Sequence, residues 1–250
     1  MKPSPWPLWI AHRGAGKLAP ENTLAAFRLG AQHGYNAFEC DVKLSADDMP
    51  FLLHDATLER TTNARGTAGE RTWAELARLD AGNWHSAAHA GEPLPTLDAV
   101  AAFCHEGDHA LNIEIKPTPG VELRTGRVVA SAAQRLWAGR TLPPLLSSFS
   151  PEALEGARDA APLLPRALLV DAFFDGWLER AQALACVAIV ANWRLFDAEL
   201  VRRLHGVGLW AMCYTVNEAS AARRLLEWGL DGLITDAVDR FAPRHGRVLA

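Results

Sequence analysis

Short apolar runs alternate along the chain with segments whose apolar positions recur at helical spacing. The runs predict strands near 8–12 (LWIAH), 37–44 (AFECDVKL), 111–116 (LNIEIK), 144–149, 167–170, 187–191, 209–215 and 231–235. Helical patterns follow at 21–34, 96–105, 122–138, 151–160, 197–206 and 218–229. Such β/α alternation implies a parallel sheet, and eight units suggest that it closes into a (β/α)8 TIM barrel. An open doubly wound sheet is the alternative. It is disfavoured because no GxGxxG follows the first strand.

One segment breaks the rhythm. The run MPFLLHD at 49–55 follows the second strand with no room for a helix, so the two read as an antiparallel hairpin. Residues 56–95 are polar and turn-rich, and read as a small insertion, or cap, above the barrel mouth. The whole chain, 1–250, reads as one domain carrying that insertion.

Composition adds exclusions. A net charge of -4 lacks the basic field of a nucleic-acid partner. The longest uncharged runs fall short of the roughly 18 residues that span a bilayer. Four scattered cysteines, Cys40, Cys104, Cys186 and Cys213, show no metal or redox spacing and read as free thiols. With no signal-peptide pattern, the expectation is a cytoplasmic protein that does not act at membranes. Oligomeric state is open.

The strands carry the chemistry. Side chains two apart share a strand face, so Glu39 and Asp41 point one way, as do Glu114 and Lys116. Barrel interiors are otherwise filled with aliphatic residues. Three converging carboxylates would repel one another unless they protonate or hold a cation. An all-oxygen donor set suggests Mg2+ or Ca2+. With a hairpin turn near Asp47-Asp48, Asp41 faces about His54, which returns to the level of the carboxylates. His12 ends the first strand, followed by Arg13 and Gly14. Two imidazoles beside a metal and two fixed cations suit phosphodiester cleavage: one imidazole accepts a proton while the other protonates the leaving alkoxide. Arg13 can grip phosphoryl oxygens bidentately and Lys116 as a point charge.

The ordered segments HRGAGKLAPENTLAAF, FECDVKLSADDMPFLLHD, LNIEIK and YTVN…DGLITD resemble the glycerophosphodiester phosphodiesterases over nearly the whole chain. The resemblance implies a barrel with a small insertion after His54. It implies His12 and His54 as the acid/base pair, Glu39, Asp41 and Glu114 as metal ligands, and Arg13 and Lys116 near the phosphate. The implied reaction is hydrolysis of small glycerophosphodiesters to sn-glycerol 3-phosphate and an alcohol. Which histidine is acid is open, although the hairpin brings His54 to the leaving-group side. Attack by water or by the glycerol 2-hydroxyl is open too. The sequence departs from the family pattern at the hairpin turn (Ser45-Ala-Asp-Asp), at Tyr214, where Trp is usual, and after Asp236. Tyr214 therefore bears on the shape of the substrate pocket, which it is expected to line.

Simpler readings stand beside these. Glu21-Asn22-Thr23 reads as a helix start; the alternative is that Glu21 orients Arg13 or Lys116. Asp236 ends the last strand and can bond a site residue or cap a turn. His33, His85, His89, His105, His109, His205 and His245 have no companion motif and read as surface or loop residues. The rivals are a related barrel phospholipase of the phosphatidylinositol-specific phospholipase C or sphingomyelinase D type, a metal-dependent amidohydrolase, and a non-catalytic binding barrel. The first should show apolar or basic interfacial segments. The second needs His-x-His where this chain has His12-Arg13-Gly14.

Overall fold

A computed structural model describes residues 3–243 and 247–248 of the chain; His245 lies outside the described residues, as do the two ends of the 1–250 span. In chain order the elements are β1 (Trp9–Ala11), α1 (Leu24–Gln32), β2 (Ala37–Leu44), β3 (Pro50–Leu52), α2 (Trp73–Leu76), α3 (Leu97–Gly107), β4 (Ala110–Ile115), α4 (Glu122–Leu136), β5 (Leu145–Ser148), α5 (Pro151–Ala160), β6 (Arg166–Val170), α6 (Trp177–Ala183), β7 (Ala188–Asn192), α7 (Ala198–Gly206), β8 (Trp210–Tyr214), α8 (Ala219–Glu227), β9 (Gly232–Thr235), β10 (Phe241–Ala242) and β11 (Arg247–Val248).

The parallel strands run β1-β9-β8-β7-β6-β5-β4-β2, and pairing of β1 with β2 closes the ring. This is the expected eight-stranded barrel, with β3 antiparallel on β2 and β10–β11 a separate pair. The helices bury their apolar faces against the outer side of the ring, where Phe27, Phe38, Ile113, Val129, Leu154, Val201 and Leu225 belong to one continuous core. Ile10, Leu145, Leu169, Val190, Met212 and Ile234 form a second cluster. Burial of the aliphatic run on both faces of a strand is what a parallel barrel demands.

The helix ends follow capping chemistry. Thr23, Thr96, Ser150 and Asp197 each accept a hydrogen bond from the first turn of the helix that follows. The first helix therefore starts at Leu24, not at 21: Thr23 is its cap, and Asn22 sits at φ +59 in the left-handed region. That conformation turns Glu21-Asn22 toward the barrel mouth instead of into the helix.

The hairpin differs from expectation by one residue. Val42 pairs with Leu52, and the Leu53 amide donates to the Asp41 carbonyl at 3.1 Å, so Asp41 lies opposite Leu53 and not His54. The reason is a wider turn: the Ser45 amide donates to the Met49 carbonyl, and Asp48 takes φ +64. The strand ends at Leu52, so His54 stands on a loop where its ring is free of the pleat.

Residues 53–95 hold α2 and two short 3-10 turns around a small apolar core of Phe51, Leu53, Leu58, Leu76 and Leu94. Arg60 of this segment bonds Glu21 and Asp55, and His85 Nε2 lies 3.1 Å from the Lys17 carbonyl. The insertion is thereby tied to the β1–α1 loop. His109 lies in the loop between α3 and β4, as expected, half-buried with its ring stacked on Phe103. Among the described residues, no helix is long and apolar enough to cross a membrane.

Gly16 shows how tightly the β1–α1 loop is set. Its φ is +59, and a Cβ there would stand 2.2 Å from the Asp236 carbonyl oxygen. Gly16→Ala is expected to cost about 1–3 kcal/mol, as overpacking does, with a lowered Tm in thermal unfolding. An unchanged Tm would show that the loop yields freely.

Candidate active site

The site lies at the C-terminal ends of the strands, where barrels place their chemistry. β2 and β4 are in register with Asp41 beside Glu114 and Glu39 beside Asn112. Alternation along the strand turns Glu39 and Asp41 inward together, and Phe38, Cys40 and Val42 outward into the helix-facing core. One oxygen from each of Glu39, Asp41 and Glu114 lies within 4.8 Å of the others. The three expected carboxylates thus converge.

These groups are under electrostatic load. Burial, then Asp41 and Glu114, push the Glu39 carboxyl well above its ordinary range. Burial, then Asp41, push Glu114 up to about 7. Burial acts the same way on Asp41, but Arg13, His54 and Lys116 outweigh it and hold this carboxyl below the usual range. Glu39 Oε1 and Asp41 Oδ1 are buried without a hydrogen-bond partner. Such oxygens are costly to leave unpaired. Glu114 Oε1 has only the Lys116 ammonium, 3.0 Å away as an ion pair. Three buried oxygen donors with unused lone pairs fit a hard divalent cation.

The cations frame this cluster. The Arg13 backbone amide donates to Glu39 Oε2 at 3.1 Å, and its guanidinium reaches Glu21 at 2.8 Å and Asp41 at 3.1 Å. Arg13 itself takes φ +49, a strained value for a side-chain residue. Although burial works against its charge, Asp41, Glu21 and Glu39 raise its pKa further. Glu21 therefore does orient Arg13, and Arg60 grips Glu21 from the insertion at 2.7 and 2.8 Å. Asn22 donates to Asp41 Oδ2 at 2.8 Å and accepts from the Asp41 amide at 3.1 Å.

Both histidines reach the mouth and are anchored alike. His12 Nδ1 lies 2.6 Å from Asp236, and His54 Nδ1 lies 2.7 Å from Asp55. Asp236 is held in turn by Asn217 Nδ2 at 3.0 Å. Each Nε2 is left for the site. That of His12 is 3.8 Å from Glu39 Oε2, and that of His54 is 3.1 Å from Lys116 Nζ. Burial lowers the His54 pKa; Asp41 opposes this, and Arg13 and Lys116 add to it.

A cavity of about 370 Å3 joins these groups: His12, Arg13, Glu39, His54, Glu114 and Lys116 line it, with Tyr214, Phe149 and Asp171 among its other walls. All eight residues named from sequence lie in or at this place; Asp41 sits just beneath the cavity, fully buried. Asn22, Asp55, Arg60 and Asn217 were not singled out as site residues. Asn22, Asp55 and Asn217 stand in the quoted segments PENT, HD and TVN, which offered a signal. Arg60 lies in insertion text without a motif.

Comparison with known proteins gives a consistent result. The family model described as the glycerophosphoryl diester phosphodiesterase family matches residues 12–240. A glycerophosphodiester phosphodiesterase of Caldanaerobacter subterraneus is 32% identical over 234 residues, covering 92% of this chain and 93% of that protein. One from Bacillus subtilis is 30% identical, over 94% of this chain and 85% of its own length. An Oleispira antarctica phosphodiesterase, solved in complex with the product sn-glycerol-3-phosphate, superposes with a TM-score of 0.86 at 34% identity, covering 96% of this chain and 95% of that one. The chain belongs to the glycerophosphoryl diester phosphodiesterase family.

Proposed function

We propose that the protein hydrolyses small glycerophosphodiesters to sn-glycerol 3-phosphate and an alcohol, using His12 and His54 as the acid/base pair. The observation that carries this reading is the pairing of two carboxylate-anchored imidazoles with a buried three-carboxylate cluster in one cavity. The relative that binds sn-glycerol-3-phosphate as a product supports the substrate class.

Glu39, Asp41 and Glu114 would hold the divalent cation, Mg2+ or Ca2+. When bound, it offsets negative charge on the phosphoryl oxygens. Arg13 and Lys116 add two fixed positive charges aimed at the same oxygens. Arg13 is held in place by Glu21 and Asp41, so little is left to reorganise as charge develops.

The histidine roles follow from their neighbours. His54 Nε2 faces an ammonium that can only donate, so it accepts, and its lowered pKa keeps the ring neutral. That is the resting state of a proton acceptor. His12 has a carboxylate near each ring nitrogen, Asp236 2.6 Å from Nδ1 and Glu39 3.8 Å from Nε2, and, among the described residues, no cation beside Nε2 to hold it as an acceptor. We therefore assign the base to His54 and the acid to His12, reversing the side that the hairpin suggested from sequence. Tyr214 shapes the substrate wall.

Residues 56–95 act as a cap that secures Glu21 and Asp55 through Arg60 within one domain, and the four buried free thiols suit a reduced, cytoplasmic setting. The cavity is at the small end of ligand pockets, which run to about 1,000 Å3. Intact phosphatidylcholine in vesicles is expected to turn over far more slowly than glycerophosphocholine. Equal rates would favour the phospholipase rival. The experiment for the function itself is the release of sn-glycerol 3-phosphate, followed with a coupled dehydrogenase.

A further inference from the structure

We infer that the cavity wall formed by Asp171, Tyr214 and Phe149 selects substrates whose departing alcohol carries a positive charge. This rests on the phosphodiesterase reading above. His12 and Arg13 follow β1, Glu39 and Asp41 lie within β2, and Glu114 lies near the end of β4. β6, β7 and β8 lie across the ring from these strands. Their ends supply Asp171, Asn192 and Tyr214.

Asp171 is held by its neighbours and left uncompensated. Asn192 Nδ2 donates to Asp171 Oδ1 at 3.1 Å, and the Tyr214 hydroxyl lies 3.3 Å from the same oxygen. The hydroxyl also has the Val170 carbonyl at 3.3 Å, so it can serve either acceptor. Among the described residues, no Lys, Arg or His forms an ion pair with Asp171. Phe149 stands edge-on to Tyr214, with ring centroids 5.8 Å apart and planes at 87°. All three side chains line the cavity that contains His12, Arg13, His54 and Lys116.

A bare carboxylate is a liability in a cavity built for a phosphodiester anion, because like charges repel. It becomes an asset when the substrate brings its own cation a few bonds from phosphorus. An alkylated ammonium has few or no N–H donors, and aromatic faces beside a carboxylate suit it. A neutral polyol can hydrogen-bond to Asp171 and the Tyr214 hydroxyl, but it leaves the carboxylate charge without a partner. One opposing charge is present. Lys116 Nζ stands 5.8 Å from the Phe149 ring centroid, and Asp171 has to outweigh it. Tyr214 ties the aromatic wall to the carboxylate through its hydroxyl.

The test compares glycerophosphocholine with its neutral carbon isostere, the 3,3-dimethylbutyl ester of sn-glycerol 3-phosphate. The wild type is expected to favour the choline ester in kcat/KM by about three- to tenfold, mostly through KM, the scale of an exposed cation contact. Asp171→Asn should bring the ratio near one and Asp171→Glu should restore part of it. Raising salt from about 0.05 to about 0.5 M should compress the wild-type ratio, because an exposed charge is screened. Thermal unfolding checks that both variants are folded. A wild-type ratio near one, or an Asp171→Asn loss equal on both esters, would overturn the inference; the latter would place Asp171 on the glycerol or in support of the fold. No turnover of either ester by the wild type would overturn this inference and the phosphodiesterase reading together.

Discussion

Replacing His12 or His54 by alanine is expected to lower kcat on glycerophosphocholine by about 10²–10⁴ each, the range of a lost general acid or base. Divalent-cation binding should be largely retained, since neither ring belongs to the carboxylate cluster. The two variants should part company on a substrate with a good leaving group, such as bis(p-nitrophenyl) phosphate if the cavity admits it. A phenolate of that kind needs little protonation, so only the variant lacking the acid should recover. The surroundings of the rings assign that recovery to His12→Ala: His54 Nε2 already accepts from Lys116, and His12 has Asp236 and Glu39 on its two nitrogens. Recovery of His54→Ala alone would reverse the roles. Equal losses on both substrates in both variants would deny separate acid and base functions.

Chelation is the second large effect. Dialysis against EDTA should abolish turnover, and Mg2+ or Ca2+ should restore it. Groups one bond removed from a bound metal already cost about 10–100-fold in affinity or activity when removed. Glu39→Gln and Asp41→Asn, as direct ligands, should therefore lose more. A readout independent of turnover is the cation-induced rise in Tm, since a ligand that binds the folded state stabilises it. The sign of the pH dependence follows from the carboxyls. Without the cation, burial and mutual repulsion raise Glu39 well above its ordinary range and Glu114 to about 7. Protons then compete with the cation, so affinity should fall as pH drops through about 7. Full turnover in excess chelator after dialysis would remove the metal from the mechanism.

The barrel was legible because a strand that is buried on both faces has to be apolar, and eight such runs punctuate the chain. The carboxylates were legible for the complementary reason. Glu39, Asp41 and Glu114 interrupt those runs at inward positions, where acidic residues are out of place unless something neutral or positive meets them. The supporting groups were harder to see. Asn22 reads as helix-starting text, yet its left-handed backbone turns the side chain onto Asp41. Only the folded β1–α1 loop, packed against Asp236 at Gly16, fixes that geometry. The hairpin offset arose from a turn one residue wider than Asp47-Asp48 suggested, a choice set by φ at Asp48 rather than by polarity. Arg60 joins Glu21 to Asp55 across 39 and 5 residues of sequence, and no local pattern encodes a contact of that separation.

The central claim is that the cavity cleaves a glycerophosphodiester on the alcohol side of phosphorus. The most direct measurement is product identification on glycerophosphocholine, by coupled assay for sn-glycerol 3-phosphate alongside phosphorus NMR, with and without chelator. The expected result is chelator-sensitive release of sn-glycerol 3-phosphate and free choline in equal amounts. Release of phosphocholine and glycerol, or no release from folded, cation-loaded protein, would contradict the account.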